Sequence, residues 1–329
     1  MYILENVFLS LGGVTLFLIG LKFISENMET LAGGKMKSAL AACTKNRLLG
    51  VLTGTLSTAV LQSSIATNVI LVGFVSGGMI TFYQAAAVIM GANIGTTVTA
   101  QLVALSGSNA FDITAFGAAI AFIGFIVSLF KNEKAAAVGN VMAGFGMLFF
   151  GLDVISDGVT FFKNYEGFRK IFLVRNDLLL LLNGVFITAL VQSSSAVTSV
   201  MIILASNGLL GFGESVFLIL GANIGTCLSV IVASLGKSKE AQKTAFFNFA
   251  FNLTGALIMF LPLSAFKENV AFYFEAFSGG IERQIANFHT LFNVTVTLFL
   301  LPVLKPFTRC IDALFDLKPR KRGAIKAAA

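Results

Sequence analysis

The sequence of 329 residues is strongly apolar, with 56% hydrophobic residues, 12% charged residues and a mean hydropathy of +0.88. Because soluble domains carry about 25% charged residues, this composition excludes an ordinary soluble protein. The net charge of +7 comes from Lys and Arg in short loops and in the C-terminal tail. This distribution is typical of the positive-inside rule, so we expect a lipid bilayer, and no nucleic acid, as the partner.

Apolar runs of about twenty residues recur along the chain, and each is long enough to cross a hydrocarbon core of about 30 Å. They predict an all-α polytopic membrane protein. The first run, Val7 to Ile24, lacks a basic start and a cleavage site, so we interpret it as a membrane helix and not as a signal peptide.

Two later segments repeat each other 130 residues apart without a gap, Gly54 to Leu105 and Gly184 to Leu235, and about a third of their positions are identical. The shared residues include the polar motif Gln-Ser-Ser and the motif Gly-Ala-Asn-Ile-Gly-Thr. The pattern predicts a first repeat over residues 1–134 and a second over 135–264. A linker with one extra membrane helix (265–304, with the helix near Ala286 to Leu304) and a basic cytoplasmic tail (305–329) follow.

The apolar segments around Gln-Ser-Ser, Leu48 to Ser76 and Leu178 to Ser206, allow two interpretations. Each is either a broken crossing or a re-entrant hairpin with the polar motif at its tip; both need protein or water around the exposed backbone. Loop charges favour hairpins. Each half then crosses the membrane three times, the second half is inverted, and seven crossings place the N-terminus outside and the C-terminus in the cytoplasm.

The Gln-Ser-Ser motifs supply hydroxyl and amide groups, and a helix break there would free backbone N–H groups for an anion. Freed carbonyl groups, together with Asn and Thr oxygens, suit sodium. Glycines in the second motif (Gly91, Gly95, Gly221, Gly225) are expected to permit local unwinding. The candidate anion ligands are Gln62, Ser63, Ser64, Gln192, Ser193, Ser194 and Ser195. The candidate sodium ligands are Gln62, Ser63, Asn93, Thr96, Thr97, Gln192, Ser193, Asn223 and Thr226.

Both motif regions lack Lys and Arg, from Val51 to Lys131 and from Asn176 to Lys237. Because a buried anion without a counter-charge is prohibitively costly, co-bound cations are expected to supply the charge, which predicts cation-coupled anion symport. The alternative is that Ser, Thr and Gly only let helices pack closely. Lys22 and Asp153, which lie one position apart in the aligned repeats, are expected to tie the halves together or to snorkel to a membrane interface. His289 is expected to pack between helices or to form a hydrogen bond there.

These duplicated motifs resemble those of the type II sodium/phosphate cotransporter family, and the resemblance covers about residues 8 to 304. It implies two inverted repeats and sodium-driven uptake of inorganic phosphate at a site between the hairpin tips, with sodium ions as co-substrates, in a bacterial plasma membrane. Ile65 departs from the family pattern because it replaces a serine of the first motif. Bacterial relatives often continue into a PhoU-like domain, whereas this sequence stops after KPRKRGAIKAAA.

Other functions remain open at this point. The anion could be another oxyanion such as arsenate or sulfate, and a homodimer is neither indicated nor excluded. An anion channel would commonly carry charged rings along its pore, and the sequence shows none. An enzyme would need a nucleophile or metal set with an activating base, and a single histidine without clustered carboxylates argues against one.

Overall fold

The computed structural model describes residues 2–42, 46–105, 113–162 and 176–316, and all regular secondary structure in these ranges is helical. The first six helices are α1 (Tyr2–Ala42), α2 (Arg47–Leu61), α3 (Ser64–Ser76), α4 (Phe82–Ala104), α5 (Ile113–Ser128) and α6 (Glu133–Phe162). The remaining helices are α7 (Asp177–Val191), α8 (Ser194–Ser206), α9 (Phe212–Gly225), α10 (Cys227–Ser234), α11 (Lys239–Ser278), α12 (Ile281–Leu300) and α13 (Leu304–Asp316).

The all-α, multi-pass character predicted from composition is confirmed. Five described segments are long and apolar enough to span a membrane: α1, α4, α6, α9 together with α10, and α11. A sixth is present if α12 and α13, which meet at 82°, form one span. The other predicted crossing corresponds to α5, whose 16 described residues extend about 24 Å at 1.5 Å per residue.

Several helix boundaries differ from those expected. Helix α1 has 41 residues and continues well beyond the predicted end at Ile24, because the segment that follows is rich in helix-forming residues. Helix α11 contains Pro262 and has non-helical dihedral angles at Phe266 (φ −126°, ψ 25°), so it bends near residue 264 and then continues. The predicted tail begins as helix α13, and residues 317–329 lie outside the described part.

The chain folds back between α2 and α3. The Thr58 hydroxyl donates a hydrogen bond to the Thr67 hydroxyl at 3.1 Å. Nine residues in a straight helix would separate these side chains by about 13 Å along the axis. The contact therefore fits a hairpin and excludes a broken but straight helix. The turn between α7 and α8 has nearly the same backbone angles.

The motif glycines serve close helix packing. A side chain added at Gly54 or Gly91 would overlap with the carbonyl oxygen of Val88 or Val51, so α2 and α4 approach backbone to backbone. Residues 130 positions later make the same contacts between α7 and α9. The expectation of unwinding is wrong for the first repeat, where α4 runs unbroken through Gly91 and Gly95; in the second, the break at Thr226 keeps helical angles (φ −64°, ψ −22°).

Helices α1 and α6, which carry the matching segments at the start of each half, pack antiparallel. A side chain added at Gly13, early in α1, would overlap with the late α6 residues Gly151 and Ile155. One added at Gly20 would overlap with the earlier α6 residues Gly144 and Leu148. Small residues thus let the two backbones approach closely along a considerable length.

Candidate functional site

Both Gln-Ser-Ser turns have an unusual backbone. Gln62 (φ 51°) and Gln192 (φ 59°) are the only non-glycine residues with positive φ in the described part of the chain. A left-handed conformation at a residue with a side chain costs on the order of 1–3 kcal/mol, and such strain clusters at functional sites. Its presence at equivalent positions of both repeats argues that the turn geometry is required.

A serine caps the helix that follows each turn. The Ser63 hydroxyl oxygen accepts a hydrogen bond from the Ala66 amide at 3.1 Å, and the Ser193 oxygen accepts one from Ala196 at 3.2 Å. The first amides of α3 and α8 have no intrahelical acceptor, as in any helix. Together with the positive end of the helix dipole, these amides provide an anion-binding surface without a basic side chain.

The two turns meet at one cavity of about 310 Å³. One wall is a single face of α1, with residues at spacings of three and four. The cavity is lined by Leu18, Leu21, Lys22, Ser25, Glu26, Gln62, Ser63, Ser64, Ile65, Gln192, Ser193, Ser194, Ser195 and Thr226. All seven candidate anion ligands from the sequence are in this set.

The motif side chains differ in the hydrogen bonds that they form with other protein groups. The hydroxyl groups of Ser64 and Ser194 have no hydrogen-bond partner within the described ranges, although Ser194 is 3% exposed. Ser195 donates to the Thr96 carbonyl at 3.5 Å, and the Gln62 amide oxygen accepts a bond from Thr99 at 2.9 Å. Ser64 and Ser194 are therefore the hydroxyl groups most available to a ligand.

Most candidates from the second motif lie away from the cavity lining. The Asn93 amide donates to Asn248 at 3.4 Å, and the Asn223 amide donates to Asn293 at 3.1 Å, so both join neighbouring helices. Thr96 and Thr97 donate to carbonyl groups of their own helix. Their assignment as sodium ligands stays a prediction. Of the second-motif candidates, the structure brings Thr226 to the cavity wall.

The replacement of a serine by Ile65 makes the cavity asymmetric. Ile65 occupies the position equivalent to Ser195, and Thr226 occupies the position equivalent to Thr96. Ser195 contacts the Thr96 carbonyl, whereas Ile65 has no hydroxyl to offer. The buried hydroxyl of Thr226 has no partner among the described residues. The Gln-Ser-Ser turn of the first repeat therefore contributes one hydroxyl group fewer to the cavity than the turn of the second repeat.

The sequence argument that the site lacks a fixed cation is wrong, because Lys22 lines the cavity. The motif blocks contain no Lys or Arg, but α1 brings one from 40 residues upstream through tertiary packing. Lys22 forms an ion pair within its own helix, where its ammonium nitrogen is 3.7 Å from a carboxylate oxygen of Glu26. A useful signal was present in the sequence: Leu18, Lys22 and Glu26 share one helix face, and charges inside membrane helices are rare.

His289 lies outside this cavity. It is fully buried on α12, and its Nε2 atom is 3.3 Å from the Asn223 amide oxygen, in keeping with the expected packing role. Within the ranges that the structure describes, no group of three or more His, Cys, Asp or Glu side chains could hold a metal ion.

Comparison with known families gives a match over most of the chain. The model of a family described as "Na+/Pi-cotransporter" matches residues 16–157 and 166–281. These ranges include both Gln-Ser-Ser turns and the α1 face that lines the cavity. No solved structure matches the chain.

Individual relatives support the same grouping. "Uncharacterized protein YqeW" of Bacillus subtilis is 28% identical over 309 residues, covering 93% of this chain and 97% of YqeW. "Putative inorganic phosphate export protein YjbB" of Escherichia coli is 26% identical over 94% of this chain, which spans only 56% of YjbB. The human "Sodium-dependent phosphate transport protein 2B" is 38% identical over 103 residues, which are 30% of this chain and 15% of that protein.

Proposed function

Because the chain belongs to the Na+/Pi-cotransporter family, we propose that it is a sodium-coupled symporter that imports inorganic phosphate. One observation carries the proposal: two equivalent turns from duplicated halves present helix N-termini and unpartnered serine hydroxyls to a single cavity. Phosphate offers several acceptor oxygens, and the cavity offers amide and hydroxyl donors from both turns. The anion would bind between the two tips.

Sodium would bind beside the phosphate and reduce its charge. Hydroxyl and amide oxygens of Gln62, Ser63, Gln192, Ser193 and Thr226 line the cavity and are suitable hard ligands. A positive ion 4 Å from the anion contributes roughly 4 kcal/mol at an effective dielectric constant of 20. Because this ion leaves with the anion, the binding of one would depend on the presence of the other, as symport requires.

We further propose that the halves 1–134 and 135–264 are inverted repeats that support alternating access. The antiparallel packing of α1 and α6 supports this, because these helices carry matching sequences. The fold-back at Gln62 supports hairpins that enter and leave on the same side. With this topology, α13 and the tail beyond it are cytoplasmic.

Sodium coupling can be tested directly in proteoliposomes. We expect radiolabelled phosphate uptake to be many-fold faster with an inward sodium gradient than with an equal potassium gradient. Arsenate and sulfate, added as competitors, would report which oxyanions the site accepts. Saturable uptake would separate a carrier from an anion channel. Uptake that is independent of sodium would contradict the coupling.

Direction needs its own experiment, since the YjbB relative is named for phosphate export. A symporter moves phosphate along the sodium gradient in either orientation of that gradient. Vesicles loaded with phosphate and sodium should therefore release phosphate when diluted into sodium-free buffer. Import in the cell then follows from the inward sodium gradient, and export that continues against an inward gradient would contradict the proposal.

The asymmetry at Ile65 gives a further test of the sodium sites. We expect Ile65→Ser to lower the sodium concentration that gives half-maximal uptake by several-fold, because the new hydroxyl adds an oxygen beside Thr226. Ile65→Val, which adds no oxygen, is the matched control. An unchanged sodium dependence in the serine variant would separate this position from sodium binding.

A further inference from the structure

Among the described residues that line the cavity, Lys22 is the only Lys or Arg. It lies midway along α1, on the face that also presents Leu18, Leu21, Ser25 and Glu26 to the two turns. A lysine carries three donors on a flexible four-carbon stem, so its ammonium group can reach across a small cavity. The protein thus provides a positive charge on a flexible side chain beside the proposed phosphate position.

The interaction that holds Lys22 at rest is weak. Its ammonium nitrogen is 3.7 Å from the Glu26 carboxylate, and the two side chains are 68% and 62% exposed. Exposed pairs of this kind contribute little to stability. Lysine four residues before glutamate is also the less favourable order along a helix. An anion in the cavity could therefore displace the Glu26 carboxylate from the Lys22 ammonium group at a small cost in free energy.

We propose that Lys22 is a direct ligand of the transported anion and that Glu26 competes with the anion for it; this rests on the proposed function of the same cavity. Bound oxyanion takes the place of the Glu26 carboxylate at the ammonium group. When the anion leaves, the lysine returns to Glu26. The pair keeps the empty site near neutrality, which lowers the cost of an unliganded cavity inside the membrane.

In this proposal, the fixed positive charge at the anion site comes from the first repeat only. In the second repeat, Asp153 of the segment LFFGLDVIS lies one position from the residue that corresponds to Lys22 at the repeat offset of 130 residues. The inference therefore predicts an asymmetric anion site: one fixed cation from α1, with the remaining positive charge from sodium. It also predicts that anion binding persists, although weakened, without sodium.

The test is phosphate titration by calorimetry on the purified full chain, with and without sodium. We expect Lys22→Gln to weaken phosphate binding by about 10- to 100-fold, the range for a hydrogen bond to a charged group. Lys22→Arg should retain much of the affinity. Glu26→Gln should strengthen binding by about 2- to 5-fold, as expected when a weak competing pair is removed.

The matched control is Lys35→Gln, which removes the same charge from an exposed position of the same helix outside the cavity lining. The double variant Lys22→Gln/Glu26→Gln separates competition from repulsion, since Glu26→Gln should have little effect once the lysine is gone. Wild-type affinity in Lys22→Gln, or equal losses in Lys22→Gln and Lys35→Gln, would overturn the inference.

The two proposals fail in different ways. Phosphate binding that depends on Lys22, without sodium-driven flux, would defeat the symport function and support the lysine assignment. Sodium-driven uptake with an unchanged phosphate affinity in Lys22→Gln would support the symport function and defeat the lysine assignment. A wild-type protein that binds no phosphate would overturn both.

Discussion

Replacing Ser194 by alanine is expected to raise the phosphate concentration for half-maximal uptake by about 10- to 100-fold. Ser194 lines the cavity and is 3% exposed as a residue, and its hydroxyl group has no hydrogen-bond partner within the described residues. A hydrogen bond to a charged ligand contributes about 1.5–3 kcal/mol, which corresponds to this range of affinity. Since alanine favours helices, the substitution should leave α8 folded. Initial rates of radiolabelled phosphate uptake in proteoliposomes give the measurement.

A second serine of α8 provides the control. Ser206, at the far end of this helix, donates to the Ile203 carbonyl and does not line the cavity. Ser206→Ala should leave the uptake kinetics unchanged. Ser64→Ala, the equivalent of Ser194→Ala in the first repeat, should reproduce the loss. Wild-type kinetics in both Ser64→Ala and Ser194→Ala would remove these hydroxyl groups from the phosphate site.

The part of the site that the sequence predicts is the part encoded locally. Gln-Ser-Ser within an apolar segment marks a helix break, because the serine can cap a new helix where the previous one ends. The structure has this break at both positions, with Ser63 and Ser193 as caps. Duplication made the signal stronger, since one polar patch alone is common in closely packed membrane helices.

What the sequence did not predict depends on contacts between distant segments. Lys22 was expected to have a structural role, and its position at the cavity is set by the packing of α1 against both hairpins. Asn93 and Asn223 have side chains suited to sodium, yet the structure pairs them with Asn248 and Asn293 of other helices. Side-chain chemistry alone cannot distinguish a ligand from a bond between helices, because both uses satisfy the same amide group.

Of the predicted substitutions, Gly91→Ala should cause the largest loss of stability. The free energy of unfolding should fall by about 1–3 kcal/mol or more. The added carbon would overlap with the Val51 carbonyl group, which is backbone and can move only if all of α2 moves. Gly221→Ala should cost a similar amount, since its added carbon meets the Leu181 carbonyl at the equivalent place in the second repeat. The chain has no tryptophan, so helix melting by circular dichroism at 222 nm is the suitable measurement.

Gly73→Ala gives a control with the opposite expected sign. Gly73 lies within α3, is exposed, and has no atom within 4 Å of the position that an added carbon would occupy. Alanine at an exposed helix position should stabilise the helix by roughly 0.5–1 kcal/mol relative to glycine. A Gly91→Ala protein that melts at or above the wild-type temperature would contradict the contact between α2 and α4. Because α2 carries the Gln62 turn, this contact fixes the position of the turn, so partial loss of it should weaken phosphate binding before the protein unfolds.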